Sequence, residues 1–255
     1  MKSSMDRAAG SSGDAASDWF RLAFGDLYPL LYPHRDDDAA ADEVEQLVAW
    51  LGLHGPTIRI ADLACGAARH TAALRRRGLC AIGLDLSGEL LARARERCDR
   101  GALVRGDLRC LPFRAAFDVA LSLFTSFGYF DDAENEIALS EMARVLAPTG
   151  FLVIDHIHVP ALRRTLIPQD TRRGPECRID QRREIVGSRV RKTIDVHWDS
   201  GEQVRLCEDV RLYAPEEMAR LLERTGLRRV SFHGSYAGGP LTDASARMIV
   251  VARRG

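Results

Sequence analysis

The chain has 255 residues, 46% of them hydrophobic, which suffices for one large core or two small ones. Its 36 Lys and Arg residues balance 36 Asp and Glu residues, so no basic excess favours nucleic acid and no acidic block favours a solvating tail. No apolar run reaches membrane-spanning length and no secretory signal is evident, so we expect a cytoplasmic protein without a membrane partner. The six cysteines lack CxxC spacing, and we expect them to be reduced.

The amino-terminal region divides into a tail, an aromatic segment and a helix. Residues 1–17 are small, polar and aperiodic, which predicts a flexible tail. The aromatic segment that follows contains Pro29 and Pro33, so we expect short helical pieces that close over a site rather than one long helix. From Asp37 to Leu51 the apolar residues recur at helical spacing, which predicts an amphipathic helix.

Beyond Pro56, short apolar runs alternate with helical patterns, which is typical of an α/β fold whose mostly parallel sheet carries helices on both faces. We expect a helix from about Asp132 to Ala147, stopped by the sequence PTG at 148–150, and another from Pro215 to before Gly226. Seven strands are predicted, at TIRIADL, CAIGLDL, ALVRG, FDVALSLF, GFLVIDHI, LRRVSFHG and ARMIVVARR.

Residues 160–213 differ from this pattern, because their apolar and polar residues alternate as in antiparallel strands. We expect three strands here, inserted after the fifth parallel strand. The insertion would separate a cofactor-binding core at 18–159, with an N-terminal helical cap, from a return to the core at 214–255. It has two interpretations: a lid over the substrate, or an element that extends the core or pairs two subunits in a homodimer.

The loop in RIADLACGAARH, between the first strand and the next helix, is the first candidate binding site. A dinucleotide loop needs three glycines for its turn, for the approach of the pyrophosphate and for close helix packing. Ala64, Gly66 and Ala68 stand at those places, so a pyrophosphate is poorly supported. Asp62 ends the strand, where its carboxylate would repel phosphate but could face a cationic amino group. A cationic ligand without phosphate fits better.

Two further acids stand at the ends of the next two strands. Asp85 follows the loop by about twenty residues, the distance at which an acid accepts hydrogen bonds from ribose hydroxyls. Asp107 is placed to accept from an exocyclic amine, and Leu108 to pack against a base. The carboxyl ends of parallel strands share one edge, and S-adenosylmethionine offers the matching amine, ribose and adenine. The alternative is that Asp62 and Asp85 simply cap the following helices.

Eight motifs follow one another along the chain: YPHRDD, DLACGAARH, GLDLSGELLARARE, RGDLRCLPF, FDVALSLFTSFGYF, RVLAPTGFLVIDHI, GSYAGGP and ARMIVVA. In their order and spacing these motifs resemble the class I S-adenosylmethionine-dependent methyltransferases, in the bacterial small-molecule branch. The resemblance covers Tyr32 to the carboxyl terminus, and it implies a Rossmann-like sheet, S-adenosylmethionine as cofactor and a small-molecule methyl acceptor. The family's usual loop is Asp-x-Gly-x-Gly-x-Gly, from which Ala64 and Ala68 depart.

The resemblance also implies which residues hold each part of the cofactor. Asp62, Ala64 and Gly66 would line its methionine end, Asp85 the ribose, and Asp107 and Leu108 the adenine. Leu123, Phe124 and Thr125 would border the sulfonium, while Tyr32, His34 and Arg35 would close over the carboxylate. Leu86 and His70 are added to this set, although Arg69 and His70 could equally be surface residues of the first helical turn.

Catalytic candidates follow the fourth and fifth strands. Methyl transfer needs a general base only if the nucleophile arrives protonated, and His156 or His158 is the best candidate by location and intrinsic pKa, ahead of Asp155 and Tyr129. Tyr129 and Phe130 could instead be packing residues. The pair His156 and His158 has no evident further ligands, so no metal is expected.

Three other functions share parts of this pattern. A nicotinamide-dependent oxidoreductase would share the sheet, but the incomplete glycine fingerprint and Asp62 argue against it. A nucleic-acid methyltransferase is disfavoured by the balanced charge and by SLFTSF, where enzymes that methylate base amines carry an Asn or Asp-Pro-Pro-aromatic motif. A noncatalytic S-adenosylmethionine-binding protein is the third. The atom methylated, N, O or C, is left open.

Overall fold

The computed structural model of the protein describes residues 19–20, 24–25, 27–33 and 36–255, and the tail predicted at 1–17 lies outside this part. The described helices are α1 Tyr28–Leu31, α2 Asp37–Leu51, α3 Arg69–Arg76, α4 Gly88–Ala94, α5 Asp132–Arg144, α6 Val159–Thr165 and α7 Pro215–Arg224. The described strands are β1 Arg59–Leu63, β2 Cys80–Asp85, β3 Leu103–Arg105, β4 Phe117–Ser122, β5 Leu146–Ile157, β6 Gln169–Arg173, β7 Cys177–Val186, β8 Arg189–Trp198, β9 Gln203–Arg211, β10 Leu227–His233 and β11 Arg247–Arg254.

Seven strands form the main sheet, in the order β10-β11-β5-β4-β1-β2-β3. Strands β1 to β5 pair in parallel, whereas β11 is antiparallel to both β5 and β10. The predicted mostly parallel seven-stranded sheet is therefore confirmed. The chain moves outward from β1 to β3 on one side and returns to β4 and β5 on the other, so a crevice opens between β1 and β4 at their carboxyl ends.

The central strands are buried because helices cover both faces of the sheet. Leu63 and Leu84 belong to a cluster of buried side chains on one face, and Ile60 and Leu121 belong to the cluster on the other. Burial on both faces explains why these strands have nearly continuous apolar runs rather than alternating ones. A core of this kind fixes the strand ends, and with them the side chains that follow.

The helix predicted from Asp37 to Leu51 is present with those bounds. The Asp36 carboxylate caps its first turn by accepting a hydrogen bond from the Ala39 amide at 2.8 Å. Gly52 ends it in the left-handed conformation, with φ of 65°. Local capping chemistry thus accounts for both ends. No helix among residues 19–20, 24–25, 27–33 and 36–255 is long and apolar enough to cross a bilayer.

The helix predicted to reach Ala147 is shorter, and the prediction that PTG stops it was wrong. It ends at Arg144, and Leu146 already belongs to β5. The Val145 carbonyl accepts hydrogen bonds from the amides of Ala116 and Phe117, at 2.9 and 3.0 Å, which draws the chain into the sheet three residues early. The PTG sequence instead lies at a register shift between β4 and β5.

The insertion is a separate antiparallel sheet of four strands, β6-β7-β8-β9, rather than the three predicted. The strand missed is β6, which lies at the edge of this sheet. Its residues, QDTRR, are all polar, and their side chains alternate between exposed and partly exposed positions, so the strand has no apolar face. One face of this sheet packs on the segment around α1. The shared cluster consists of Leu31, Cys177, Ile179, Ile194, Val196 and Leu206.

Candidate active site

A cavity of about 260 Å³ opens at the carboxyl edge of the main sheet, and most of the predicted cofactor residues line it. Its walls come from the loops after β1, β2, β3 and β4 and from the aromatic segment near the amino terminus. The predicted residues that it brings together are Asp62, Ala64, Gly66, His70, Asp85, Leu86, Asp107, Leu108, Leu123, Phe124 and Tyr129.

The loop after β1 keeps the backbone shape of a glycine-rich loop although two of its glycines are replaced. Ala64, Gly66 and Ala68 have φ values of 60°, 58° and 58°, so all three are left-handed. Each alanine in this conformation costs roughly 1–2 kcal/mol. The loop therefore accepts strain at both departures and still presents its backbone to the cavity.

Asp62 is a buried carboxylate in the lining of the cavity. It is 2% exposed, and its Oδ2 accepts a hydrogen bond from Oγ1 of Thr71 at 2.6 Å. Burial raises the pKa of this carboxyl, an effect that His70 and the Thr71 hydrogen bond partly offset. A positively charged ligand group nearby would favour the ionised form, which agrees with the role predicted for Asp62.

Asp85 joins the end of β2 to the loop after β1. Its Oδ2 accepts from the Gly66 amide and its Oδ1 from the Ser87 amide, each at 2.8 Å. Burial raises its pKa, while these two hydrogen bonds act in the opposite direction. Each carboxylate oxygen has a further lone pair, so the fixed side chain can still accept hydrogen bonds from ligand hydroxyls.

Asp107 lines the cavity as half of an ion pair. Arg109 binds it through two hydrogen bonds, from Nε at 3.0 Å and from Nη2 at 2.8 Å, and also contacts Glu134 at 2.6 Å. The pairing fixes the Asp107 side chain and compensates its charge. A compensated carboxylate suits a neutral amine such as that of adenine better than it suits a cation.

His70 is buried in the cavity wall, so the alternative that it is a surface residue is wrong. It is 6% exposed, and its Nε2 lies 2.9 Å from Oε2 of Glu43 on α2. The Phe124 ring is 5.3 Å from the imidazole and 5.3 Å from the Arg69 guanidinium carbon. Glu43 was not predicted from the sequence, because a contact across 27 positions leaves no local signal.

The loop after β4 contributes two of its three predicted residues. Leu123 and Phe124 line the cavity, whereas Thr125 is absent from its lining. The Thr125 hydroxyl instead accepts a hydrogen bond from Nη2 of Arg247 at 2.7 Å. Phe124 and Thr125 are both left-handed, with φ values of 55° and 61°.

Aromatic rings form the remaining side of the cavity. Tyr129 stacks on Phe24 with ring centroids 5.5 Å apart and 22° between the planes, and it meets Trp19 edge-on at 4.9 Å. Tyr129 is therefore both a packing residue and a cavity residue. We call the cavity-lining members of this group the aromatic wall: Phe20, Phe24, Tyr28, Tyr129 and Phe130.

The structure corrects the placement of the two histidines near the reacting methyl, since neither lines the cavity. His156 points into the core against Phe127 and Tyr213, with ring centroids 6.4 and 5.7 Å away, and burial lowers its pKa to about 3. Nδ1 of His158 contacts the Ser245 carbonyl at 2.7 Å. The sequence pointed to His156 and His158 as site residues only because they are polar residues at the end of a strand.

Tyr32 also lies outside the cavity lining. Its hydroxyl donates a hydrogen bond to Glu208 and accepts one from Nζ of Lys192 at 2.8 Å, so it joins the segment around α1 to the inserted sheet. Its polar partners on β8 and β9 hold it there. His34 and Arg35 lie outside the described residues.

Comparisons with known proteins agree with this geometry. Residues 60–150 match the family described as methyltransferase domain. A dTDP-3-amino-3,4,6-trideoxy-alpha-D-glucopyranose N,N-dimethyltransferase from Streptomyces venezuelae is 29% identical over 53% of this chain and 58% of its own length. The cypemycin N-terminal methyltransferase from a Streptomyces species is 28% identical over 82% of this chain and 89% of its own length.

The fold agrees with solved structures as well. An S-adenosylmethionine-dependent methyltransferase from Clostridium acetobutylicum superimposes with a TM-score of 0.74, over 90% of this chain and 96% of that one, at 18% sequence identity. At this identity the likeness concerns the fold. It includes the core sheet that carries the cavity, because nearly the whole of both chains is covered.

Proposed function

We propose that this chain, whose residues 60–150 match a methyltransferase domain, transfers a methyl group from S-adenosylmethionine to a small-molecule acceptor, as expected of a class I S-adenosylmethionine-dependent methyltransferase. The match at residues 60–150 confirms the methyltransferase domain predicted from the sequence. The choice of acceptor and the roles of single residues are our proposals, argued from the cavity.

The observation that carries the proposal is the row of carboxylates at three successive strand ends. Asp62 and Asp85 are 2% and 8% exposed and both have raised pKa values because of burial, so each is a costly charge without a ligand. An ammonium group beside Asp62 and ribose hydroxyls on Asp85 would offset this cost. Asp107, paired with Arg109, would accept from the adenine amine. These residues fit the cofactor.

When bound, S-adenosylmethionine supplies a methyl group on a sulfonium centre. The protein's task is then mainly to orient two partners, and orientation can contribute up to roughly 7–11 kcal/mol of the barrier. Asp62 and Asp85 would hold the methionine and ribose parts, and Leu123 and Phe124 would border the reacting centre. The aromatic wall would exclude water from the acceptor side.

The acceptor that we propose is an amine. Aromatic rings stabilise a nearby cation, as the Phe130 ring already does for the Arg109 guanidinium carbon 4.5 Å from its centroid, and methylation of a neutral amine beside the aromatic wall produces a cation there. A neutral amine also needs no protein base, so this chemistry does not depend on His156 and His158, which lie outside the lining, or on His70, which lines the cavity but is hydrogen-bonded to Glu43 at 2.9 Å. The two Streptomyces relatives named above are, by their names, an N,N-dimethyltransferase of an amino sugar nucleotide and an N-terminal methyltransferase, which supports an amine acceptor.

The inserted sheet supports this side of the cavity. It packs on the segment around α1, and Tyr28 of that segment belongs to the aromatic wall. Lys192 and Glu208 hold Tyr32 on the same segment. Of the two interpretations of the insertion, these contacts favour the lid.

The test is an assay of the full chain with S-adenosylmethionine labelled in its methyl group. The acceptors are an amino sugar, a peptide with a free amino terminus, a phenol and a hydroquinone, and both S-adenosylhomocysteine and labelled product are measured. We expect label transfer to amines. Transfer only to the oxygen or carbon acceptors would overturn the amine proposal and retain the methyltransferase. Cofactor binding without transfer to any of these compounds would favour a noncatalytic binding protein.

A further inference from the structure

Two motifs near the carboxyl terminus, GSYAGGP at 234–240 and ARMIVVA at 246–252, contribute no residue to the cavity lining. Neither Tyr236 nor Arg247 lines the cavity. Both side chains nevertheless end at one buried carboxylate, that of Asp155 in β5. This carboxylate lies directly behind the loop that follows β4.

That loop has an unfavourable backbone conformation at the edge of the cavity. Phe124 and Thr125 are consecutive residues with φ values of 55° and 61°. Left-handed torsions are rare for bulky residues and rarer for β-branched ones such as threonine, so surrounding contacts must stabilise them. The Phe124 ring lines the cavity and contacts His70, which makes the conformation relevant to ligand binding.

Asp155 supplies backbone contacts to both strained residues. Its Oδ2 accepts a hydrogen bond from the Phe124 amide at 2.9 Å, and its main-chain carbonyl accepts one from the Thr125 amide at 2.9 Å. Asp155 is 1% exposed. A carboxylate buried to this extent needs compensating charge and further donors.

Arg247 and Tyr236 provide them. Nε of Arg247 donates to Oδ1 of Asp155 at 2.7 Å, and its Nη2 donates to the Thr125 hydroxyl at 2.7 Å, so one guanidinium bridges carboxylate and loop. The Tyr236 hydroxyl donates to Oδ2 at 2.7 Å. Burial and the neighbouring Asp155 charge raise the pKa of Tyr236, which keeps its hydroxyl protonated as a donor.

The segment that carries Tyr236 is itself closely packed. Gly238, with φ of 76°, lies so near the Trp50 indole that an added Cβ would be 2.0 Å from Nε1. At the other end of the segment, the Ser245 carbonyl contacts Nδ1 of His158 at 2.7 Å. These contacts with α2 and with the end of β5 fix the position of the Tyr236 hydroxyl.

We infer that Asp155, Arg247 and Tyr236 are positioning residues, which hold Phe124 and Thr125 in the left-handed conformation that shapes the sulfonium side of the cofactor cavity. The inference rests on the proposed function, because it assigns these residues to the cofactor site. It explains why both carboxyl-terminal motifs accompany a methyltransferase domain whose matched region ends at residue 150.

The experiment measures the affinity for S-adenosylhomocysteine by titration calorimetry, in the full chain and in variants whose folding is checked by near-ultraviolet circular dichroism. Arg247→Lys keeps the charge but cannot bridge Asp155 and Thr125, and we expect an affinity about tenfold lower. Tyr236→Phe removes one donor with little change of shape, and we expect a smaller loss in the same direction. Arg253→Lys, on the same strand but away from this network, is the matched control and should bind like the wild type.

A rescue variant distinguishes positioning from general stability. Glycine adopts left-handed torsions without strain, so Thr125→Gly should need no support from Arg247. We expect the double variant Arg247→Lys, Thr125→Gly to recover an affinity within about threefold of the wild type.

Each outcome has a distinct meaning. Wild-type affinity in the folded Arg247→Lys and Tyr236→Phe variants would overturn the inference, and so would a loss that Thr125→Gly leaves uncorrected. If Arg247→Lys does not fold, Tyr236→Phe decides alone. A wild-type protein that fails to bind S-adenosylhomocysteine would overturn the proposed function itself, and the inference with it.

Discussion

Oδ2 of Asp85 accepts a hydrogen bond from the Gly66 amide at 2.8 Å, which joins the end of β2 to the loop after β1. Through this contact one carboxylate both shapes the loop and faces the cavity. The alternative that Asp85 only caps the next helix is wrong, because Ser87 is the N-cap residue of α4 and its hydroxyl accepts a hydrogen bond from the Leu90 amide at 3.1 Å. Alteration of Asp85 should therefore affect both the loop and cofactor binding.

Asp85→Asn should weaken S-adenosylmethionine binding about 10- to 100-fold, because a hydrogen bond to a charged group contributes about 1.5–3 kcal/mol. The asparagine side chain has only one acceptor oxygen, whereas Asp85 accepts from the Gly66 and Ser87 amides through two. Titration calorimetry measures the effect. Asp118→Asn is the matched control, since Asp118 also accepts a backbone amide hydrogen bond, from Arg59 at 2.8 Å, but outside the cavity lining. Equal losses in both variants would contradict the role of Asp85.

Glu43→Gln should lower cofactor affinity several-fold, because Glu43 fixes the imidazole of His70 in the cavity wall at 2.9 Å. The control is Glu45→Gln on the same helix, where the carboxylate pairs with Arg77 at 3.1 Å and is 65% exposed. We expect wild-type affinity from the control. Unchanged binding in Glu43→Gln would show that His70 needs no such partner.

Ala64→Gly should raise the free energy of unfolding by about 0.5–1 kcal/mol. Glycine removes the strain of a left-handed alanine, which is roughly 1–2 kcal/mol. Its greater freedom in the unfolded chain lowers the free energy of unfolding by about 0.4–1 kcal/mol, so the net effect is stabilising. Ala67→Gly, in the same loop but without a positive φ, should be destabilising. Denaturant titrations give both values, and effects of the same sign would contradict the strain argument.

Much of the fold could be predicted from the sequence because its signals are local. The residues that cap α2, Asp36 and Gly52, are its immediate neighbours in the sequence. The buried strands show continuous apolar runs. The edge strand β6 has no apolar residue, so no pattern could reveal it. The end of α5 depends on a distant strand, since Ala116 and Phe117 bind the Val145 carbonyl.

The candidate site shows the same division. Asp62, Asp85 and Asp107 could be found because each stands at the end of its own strand. Glu43 and Arg247 could not, since their partners His70 and Asp155 are 27 and 92 positions away. His156 was misplaced because a polar residue at a strand end indicates a site only if its side chain faces the crevice, and the direction depends on packing.

His156 should make stability depend on pH. Burial lowers its pKa from 6.5 to about 3, so the folded protein prefers the neutral ring. The neutral His156 ring therefore makes its full contribution to the free energy of unfolding above pH 6.5, and this contribution is lost as the pH falls toward 3. At pH 5 the loss is about 2 kcal/mol. His156→Phe should remove this acid-dependent part of the unfolding free energy, whereas His54→Phe at the surface should not. An unchanged acid slope in His156→Phe would contradict the burial argument.

The most direct test of the central claim is a crystal structure of the full chain with S-adenosylhomocysteine. We expect the ribose hydroxyls on Asp85, the amino group toward Asp62, the adenine beside Asp107 and Leu108, and the sulfur next to the loop after β4. Density for the ligand outside this cavity, or with its adenine against the aromatic wall, would contradict the assignment of the three carboxylates.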